Sequence, residues 1–311
     1  MRVRIDSALL SERHSLLVLG LLALSEARGH ALATELEAAD AWSETLPEDL
    51  QQAVRDLLDA HRSQFVLHSA SHATITVTLE DLDSQRGRLS PEDAFRLLAL
   101  PLELLLENER GDWHFVRRLA QPAQRRLLDE ALREGWLLPR QGGGLPELTK
   151  ALKALLPPEQ QPDLQRFRRL RTWVLFDRDA TKTDASRPSS QSVAARKACV
   201  ALSEVPDPWR FGWTRLHRRH IESFLPDVVL DAWAHDQKED VQDTVQALLE
   251  LRKTDPAQAA SWNMKQRLEA TIATLFETAS HDPAFPAEYD RDHPDGPGAA
   301  AALIETLLER L

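Results

Sequence analysis

Cysteine is almost missing from this chain: Cys199 stands alone among 311 residues. A single cysteine excludes an intramolecular disulfide framework and any multi-cysteine zinc site, and it fits a reducing cytosol. Long apolar runs are missing too. The longest near the N-terminus, Leu16 to Leu24, is too short to span a bilayer. Glu26, Arg28 and His30 follow it without a small-residue cleavage pattern, so it reads as a core helix, and no membrane association is expected. No Gly-x-x-x-x-Gly-Lys-Ser/Thr occurs, which leaves the chain without a phosphate-loop ATPase motif of its own. Net positive charge is absent as well: 38 Lys and Arg against 49 Asp and Glu give −11. Nucleic acid bound over the whole surface is therefore disfavoured, although a local basic groove is not. No internal repeat and no long low-complexity segment is visible.

What remains is ordinary for a globular protein: 42 % hydrophobic and 28 % charged residues, in a length that suits more than one domain. Residues 8 to 62 read as helical from their leucine spacing. Ala73 to Leu79 alternates and is rich in β-branched residues, which predicts a strand. Ser90-Pro91-Glu92-Asp93 opens a helix that runs to Leu98, with Ser as cap and Pro in the first position. From Pro101 the pattern becomes strand–helix alternation. Strands are expected at Leu102 to Glu107, Trp136 to Pro139, Thr172 to Phe176 and Phe211 to Leu216. Helices are expected at Trp113 to Leu119, Pro146 to Leu156 and Gln191 to Leu202, with a polar loop at Ala180 to Ser190. This alternation predicts an α/β fold with a parallel four-stranded sheet flanked by helices. Residues 226 to 279 return to helix, His281 to Gly298 read as loop, and Ala299 to Leu311 as a last amphipathic helix. The expected division is a mainly helical N-terminal domain at 1–98 with a short strand segment, a catalytic domain with helical extension at 99–279, and a linker plus helix at 280–311.

Chemistry concentrates where two predicted strands end. Val174-Leu175-Phe176 runs into Asp177-Arg178-Asp179, and Leu102 to Leu106 runs into Glu107. Ligands on parallel sheets bind beyond the C-terminal strand ends. Carboxylates gathered there suit a hard cation such as Mg²⁺, which takes one or two protein carboxylates plus water and substrate phosphate. Each residue also has a plainer role. Glu107 would cap a following helix, and Asp112 would serve equally as the N-cap of the Trp113 helix or as a ligand. Glu222 would pair with Arg218 one turn back. Gly142 to Gly144 would be a simple turn, or would let the backbone at Gly143 approach a phosphate closely. His217 and His220 lack a zinc-ligand pattern. Arg166, Arg168, Arg169 and Arg171 precede one strand end, and Arg215, Arg218 and Arg219 precede Glu222. They read either as a rim gripping a nucleic-acid backbone or as ordinary helix charge.

Leu105 to Asp112, the glycine turn and Val174 to Asp179 together resemble the topoisomerase–primase (TOPRIM) fold. That family ends its first strand in Glu, follows its second strand with a glycine-containing turn and places Asp-x-Asp after its third. Its usual Glu-Gly pair is Glu107-Asn108 here. The segment Leu216 to Pro226 is similar to that of TOPRIM nucleases of the overcoming-lysogenisation-defect (OLD) type and related defence-associated proteins. There a helix after the last strand brings another metal-binding Glu, matched by Glu222, and the C-terminal helices carry a functional Lys, matched by Lys265. The resemblance spans about residues 101 to 270.

It implies a Mg²⁺- or Mn²⁺-dependent endonuclease that uses two ions, as in two-metal hydrolysis. Glu107, Asp177 and Asp179 would serve as ligands or acid–base groups, Glu222 and Asp112 as further ligands, and Lys265 as the stabiliser of phosphate charge. A topoisomerase would need a tyrosine nucleophile, and the single Tyr289 lies in the Pro/Asp/Gly-rich stretch. A primase usually brings a zinc module that one cysteine cannot make. DNA is favoured over RNA as substrate. The ATPase domain of OLD-type proteins would have to come from a separate partner protein, as in a bacterial anti-phage system with residues 1–98 as the docking module. A cytoplasmic location is expected, and self-association is left open. The alternative expectation is a non-catalytic TOPRIM-like binding or regulatory subunit.

Overall fold

The computed structural model describes residues 1–311 except 68–72, 159, 162–164, 181–186, 269 and 280–282; at 67, 265, 270 and 271 it describes the backbone alone. Among the described residues eight strands form two sheets, and the strands within each sheet pair in parallel. The first sheet holds β1 (Arg2–Ile5), β2 (Ala31–Ala33), β3 (Thr74–Val77) and β4 (Arg88–Leu89) in the order β2-β1-β3-β4. The second holds β5 (Leu102–Leu106), β6 (Leu137–Gln141), β7 (Thr172–Phe176) and β8 (Gly212–Arg215) in the order β6-β5-β7-β8. The same strand order thus occurs twice, in a chain whose sequence shows no repeat. The described part of residues 1–98 holds mostly helix, and its strands number four short ones where the sequence pattern points to a single strand segment.

The second sheet forms where sequence patterning places it. β7 is buried at all five positions, and in β5 only Glu103 escapes burial. Apolar side chains on both sides are what a parallel sheet covered by helices requires. Leu104, Leu106, Trp173 and Leu175 pack towards the C-terminal helices, into a core with Phe224, Phe276 and Tyr289. Leu105, Val174 and Phe176 pack the opposite way, against the helices Leu145–Leu155 and Ser190–Ser203. The helix Pro91–Leu98 starts as expected, with the Ser90 hydroxyl accepting from the Asp93 N–H at 3.2 Å. Two helices went unread: Pro122–Arg133, and Ala284–Asp290 inside the stretch taken for loop.

The Leu16–Leu24 run lies in the helix Ser15–Ala27, which buries Val18, Leu21 and Leu22. Among the described residues no helix is long and apolar enough to cross a membrane. The two sheets are stitched together near residue 29. Trp136 Nε1 donates to the Ala27 carbonyl at 2.8 Å, and Arg28 donates to the Gly135 carbonyl at 3.0 Å. Gly29 has φ +66°, and a Cβ there would lie 2.6 Å from the Trp136 ring, so only glycine fits beneath the indole.

Candidate functional site

β5 and β7 are neighbours, with Leu106 in register with Leu175. Because β6 lies on the far side of β5 and β8 on the far side of β7, the strand order reverses between them. That reversal opens the crevice in which open α/β sheets bind ligands. Glu107 leaves β5 there, and Asp177 leaves β7. The Asp177 backbone N–H donates to Glu107 Oε2 at 3.4 Å, so the Glu107 carboxylate lies against the start of the Asp-x-Asp segment. Asp177 is buried, and its carbonyl accepts from the Ser192 hydroxyl at 3.2 Å. Asp179 holds a left-handed backbone, φ +46°, uncommon outside glycine, and its N–H donates to the Arg219 carbonyl at 2.7 Å. This bond ties the loop after β7 to the segment after β8.

The glycine turn serves the same end of the sheet. The Gly142 N–H donates to the Leu106 carbonyl at 2.5 Å and the Gly144 N–H to the Glu107 carbonyl at 3.3 Å. Gly143 turns between them at φ +73°. Two of the three glycine amides are therefore spent on fixing the end of β5.

The remaining carboxylates divide differently. Asp112 is buried, and its Oδ2 accepts from the Asn108 N–H at 2.8 Å. It closes the first turn of a helix, Glu109–Leu119, that starts earlier than its sequence suggests. Glu222 is buried in the short turn Ile221–Phe224, where its Oε2 is 3.3 Å from His220 Nδ1. The Ile221 side chain reaches within 3.4 Å of the Cβ position of Gly111, so this turn abuts the helix that follows Glu107. Among the described residues, no three His, Cys, Asp or Glu side chains gather closely enough to hold a metal ion. The Lys265 side chain lies outside the described residues, although its backbone belongs to the short helix Met264–Arg267.

The arginines expected to grip nucleic acid mostly do something else. Residues that precede a strand lie at its N-terminal end, so Arg169 and Arg171 sit at the opposite end of β7 from Asp177. Arg169 is buried and bidentate on Asp207, at 2.7 and 3.1 Å. Arg171 is buried on the carbonyls of Leu100, at 3.1 Å, and Arg310. Arg166 joins Asp207, and Arg168 reaches Glu103. Arg218 is also buried, bonded to Glu288 at 2.5 Å and Asp292 at 2.9 Å. Burial raises the Asp292 pKa, but hydrogen bonds from His217 and Arg218 outweigh it and hold the carboxyl well below the usual range. Buried Arg169, Arg171 and Arg218 are thus occupied within the fold, which corrects their reading as a nucleic-acid rim. Arg219 is half-buried and donates to the Ser261 carbonyl at 3.4 Å. Arg215 is likewise half-buried, at the C-terminal end of β8 and in register with Phe176.

Burial pushes the Cys199 thiol up to about 12 and raises the Tyr289 phenol, whose ring packs against Phe115 and Phe224.

A feature unread in the sequence lies beside β8. A cavity of about 810 Å³ separates this edge strand from the C-terminal helices. Arg178, the middle residue of Asp-x-Asp, lines it together with Arg210, Arg215 and Arg310. These positions are scattered along the chain: Arg178 stands inside Asp-x-Asp and Arg215 in the basic group before Glu222, while Arg210 and Arg310 belong to no motif. No family model, no curated protein and no solved structure matches this chain.

Proposed function

We propose that this chain is a Mg²⁺- or Mn²⁺-dependent hydrolase of nucleic-acid phosphodiesters, acting at Glu107, Asp177 and Asp179. One observation carries the reading: the Glu107 carboxylate rests on the Asp177 amide where two adjacent parallel strands end and the strand order reverses. The donors are hard oxygens, and two carboxylates match what Mg²⁺ takes from a protein. Glu107 and Asp177 would hold the ion, with Asp179 beside them. Carboxylates at one strand-end crevice repel when ionised, and a cation between them would relieve that repulsion. A bound divalent ion supplies a lowered water pKa and neutralises charge on a phosphate. The Asp177 amide orients Glu107, and the Asp179–Arg219 bond holds the second aspartate against the segment after β8. Glu222, as a second metal position, and Lys265, as the charge stabiliser, enter through the TOPRIM resemblance alone. So do a cytoplasmic anti-phage role and a separate ATPase partner.

A second reading is a non-catalytic binding or regulatory subunit. It is favoured by the lack of a three-donor cluster among the described residues, and by Asn108 where the family has Gly. The test incubates the full chain with plasmid, linear DNA and tRNA in Mg²⁺, Mn²⁺ or EDTA, alongside Asp177→Ala. Calorimetric Mn²⁺ titration accompanies it. Cleavage that needs the cation and is lost in the variant supports the hydrolase. Neither cleavage nor Asp177-dependent Mn²⁺ binding selects the second reading.

A further inference from the structure

None of the three proposed catalytic carboxylates lines the cavity beside β8, although Arg178 between two of them does. Its volume, about 810 Å³, lies within the rough 300–1,000 Å³ range of small-molecule sites. Four arginines and two histidines line it against two carboxylates, Asp295 and Glu309. Such an excess of positive charge attracts an anion, and guanidinium groups match phosphate oxygens in a bidentate way.

Arg215 is the central case. It ends β8 in register with Phe176, the residue before Asp177. Burial, and then the neighbouring charges of Arg196 and Arg178, hold it below the usual arginine range. Like charges gathered together cost energy, and an anion among them lowers that cost. Arg210 is exposed at the same cavity, and Arg310 is fixed there by donating to the Arg210 carbonyl at 2.5 Å while lying over the Trp209 ring. Trp213 and His293 add ring surfaces to the lining, which suit a nucleobase.

We propose that this cavity binds a phosphorylated nucleotide, free or as the end of a nucleic-acid strand, with its phosphate on Arg215, Arg178 and Arg210. The helix Ala299–Leu308 walls one side through Ala302 and Thr306, so the site accepts a terminal group better than the middle of a strand. The site is distinct from the metal-dependent reading and does not rest on it.

The test is run in EDTA, where metal-dependent cleavage is silent. The full chain is titrated by calorimetry with ADP, with a hexathymidylate carrying a 5′-phosphate, and with the same hexamer lacking it. Saturable binding of ADP assigns a free nucleotide; binding of the phosphorylated hexamer alone assigns a strand end. In either case Arg215→Gln weakens binding roughly tenfold or more, as loss of a charged hydrogen bond predicts. Ala302→Trp, an exposed helix position facing the cavity, blocks binding while the melting temperature stays unchanged. No binding of any of the three ligands overturns the proposal. So does equal binding of both hexamers without ADP binding, or affinity indifferent to both substitutions.

Discussion

The two sheets share one strand order and differ in what faces what at the point of reversal. In the first, Asp6 follows β1 and Thr78 follows β3; the Thr78 hydroxyl donates to Asp6 Oδ2 at 3.1 Å, and Asp6 Oδ1 accepts from the Ala8 N–H at 3.1 Å. In the second, the corresponding positions are Glu107 and Asp177. In the first sheet a hydroxyl donates to the carboxylate across the reversal, whereas in the second a backbone N–H does so and a second acidic residue takes the place of the threonine. Under the hydrolase reading one topology carries two chemistries, and the difference lies in single residues at the strand ends rather than in the scaffold.

The comparison breaks most visibly at Glu107. Under the hydrolase reading, Glu107→Gln lowers cleavage at least about a hundredfold, while Asp6→Asn leaves the rate within about twofold. Equal effects in a plasmid-nicking assay would erase the distinction between the sheets. The next largest effect concerns the basic residues of the second half. Arg218→Ala removes one of three arginine partners of the buried Glu288 carboxylate, leaving Arg291 and Arg252, and costs about 2–3 kcal/mol in urea unfolding. Were Arg218 a nucleic-acid contact instead, stability would hold and affinity would drop.

Acid sharpens the same point. Asp292 has a folded pKa held below its unfolded value by His217 and Arg218. The folded state therefore binds fewer protons there, so this contribution is intact above about pH 4 and fades as the pH falls through the depressed folded value. Asp292→Asn should flatten that part of the stability curve between pH 5 and pH 2, as order-of-magnitude bounds on carboxylate titration. At the seam, Gly29→Ala meets both a positive φ and the Trp136 ring, at a cost of about 2 kcal/mol in thermal unfolding. The smallest effect is that of Asp6→Asn on stability, about 1 kcal/mol for one weakened hydrogen bond and cap.

The second sheet was legible because its central strands are unbroken apolar runs. Thr172–Phe176 matches its expected limits, and Leu102–Leu106 falls one residue short. The first sheet was hidden by brevity and by charge. β2 spans three residues and β4 two. β1 alternates Val3 and Ile5 with Arg2 and Arg4, whose guanidinium groups lie 4.0 and 5.6 Å from the Phe65 ring. A strand whose outward cations are sheltered by an aromatic from a distant helix gives no local signal. The placement of Glu107 and Asp177 followed from strand ends alone. The fate of Arg169 did not, because its partner Asp207 is 38 residues further along and lies across a loop.

Trp136 beneath Gly29 has an energetic corollary. An indole shared by both halves makes either one a poor neighbour when detached, since parting them would bare a ring that water does not welcome. Melting of one sheet should then be felt by the other, and a nucleotide seated beside β8 would delay the unravelling of β1, far from where it binds.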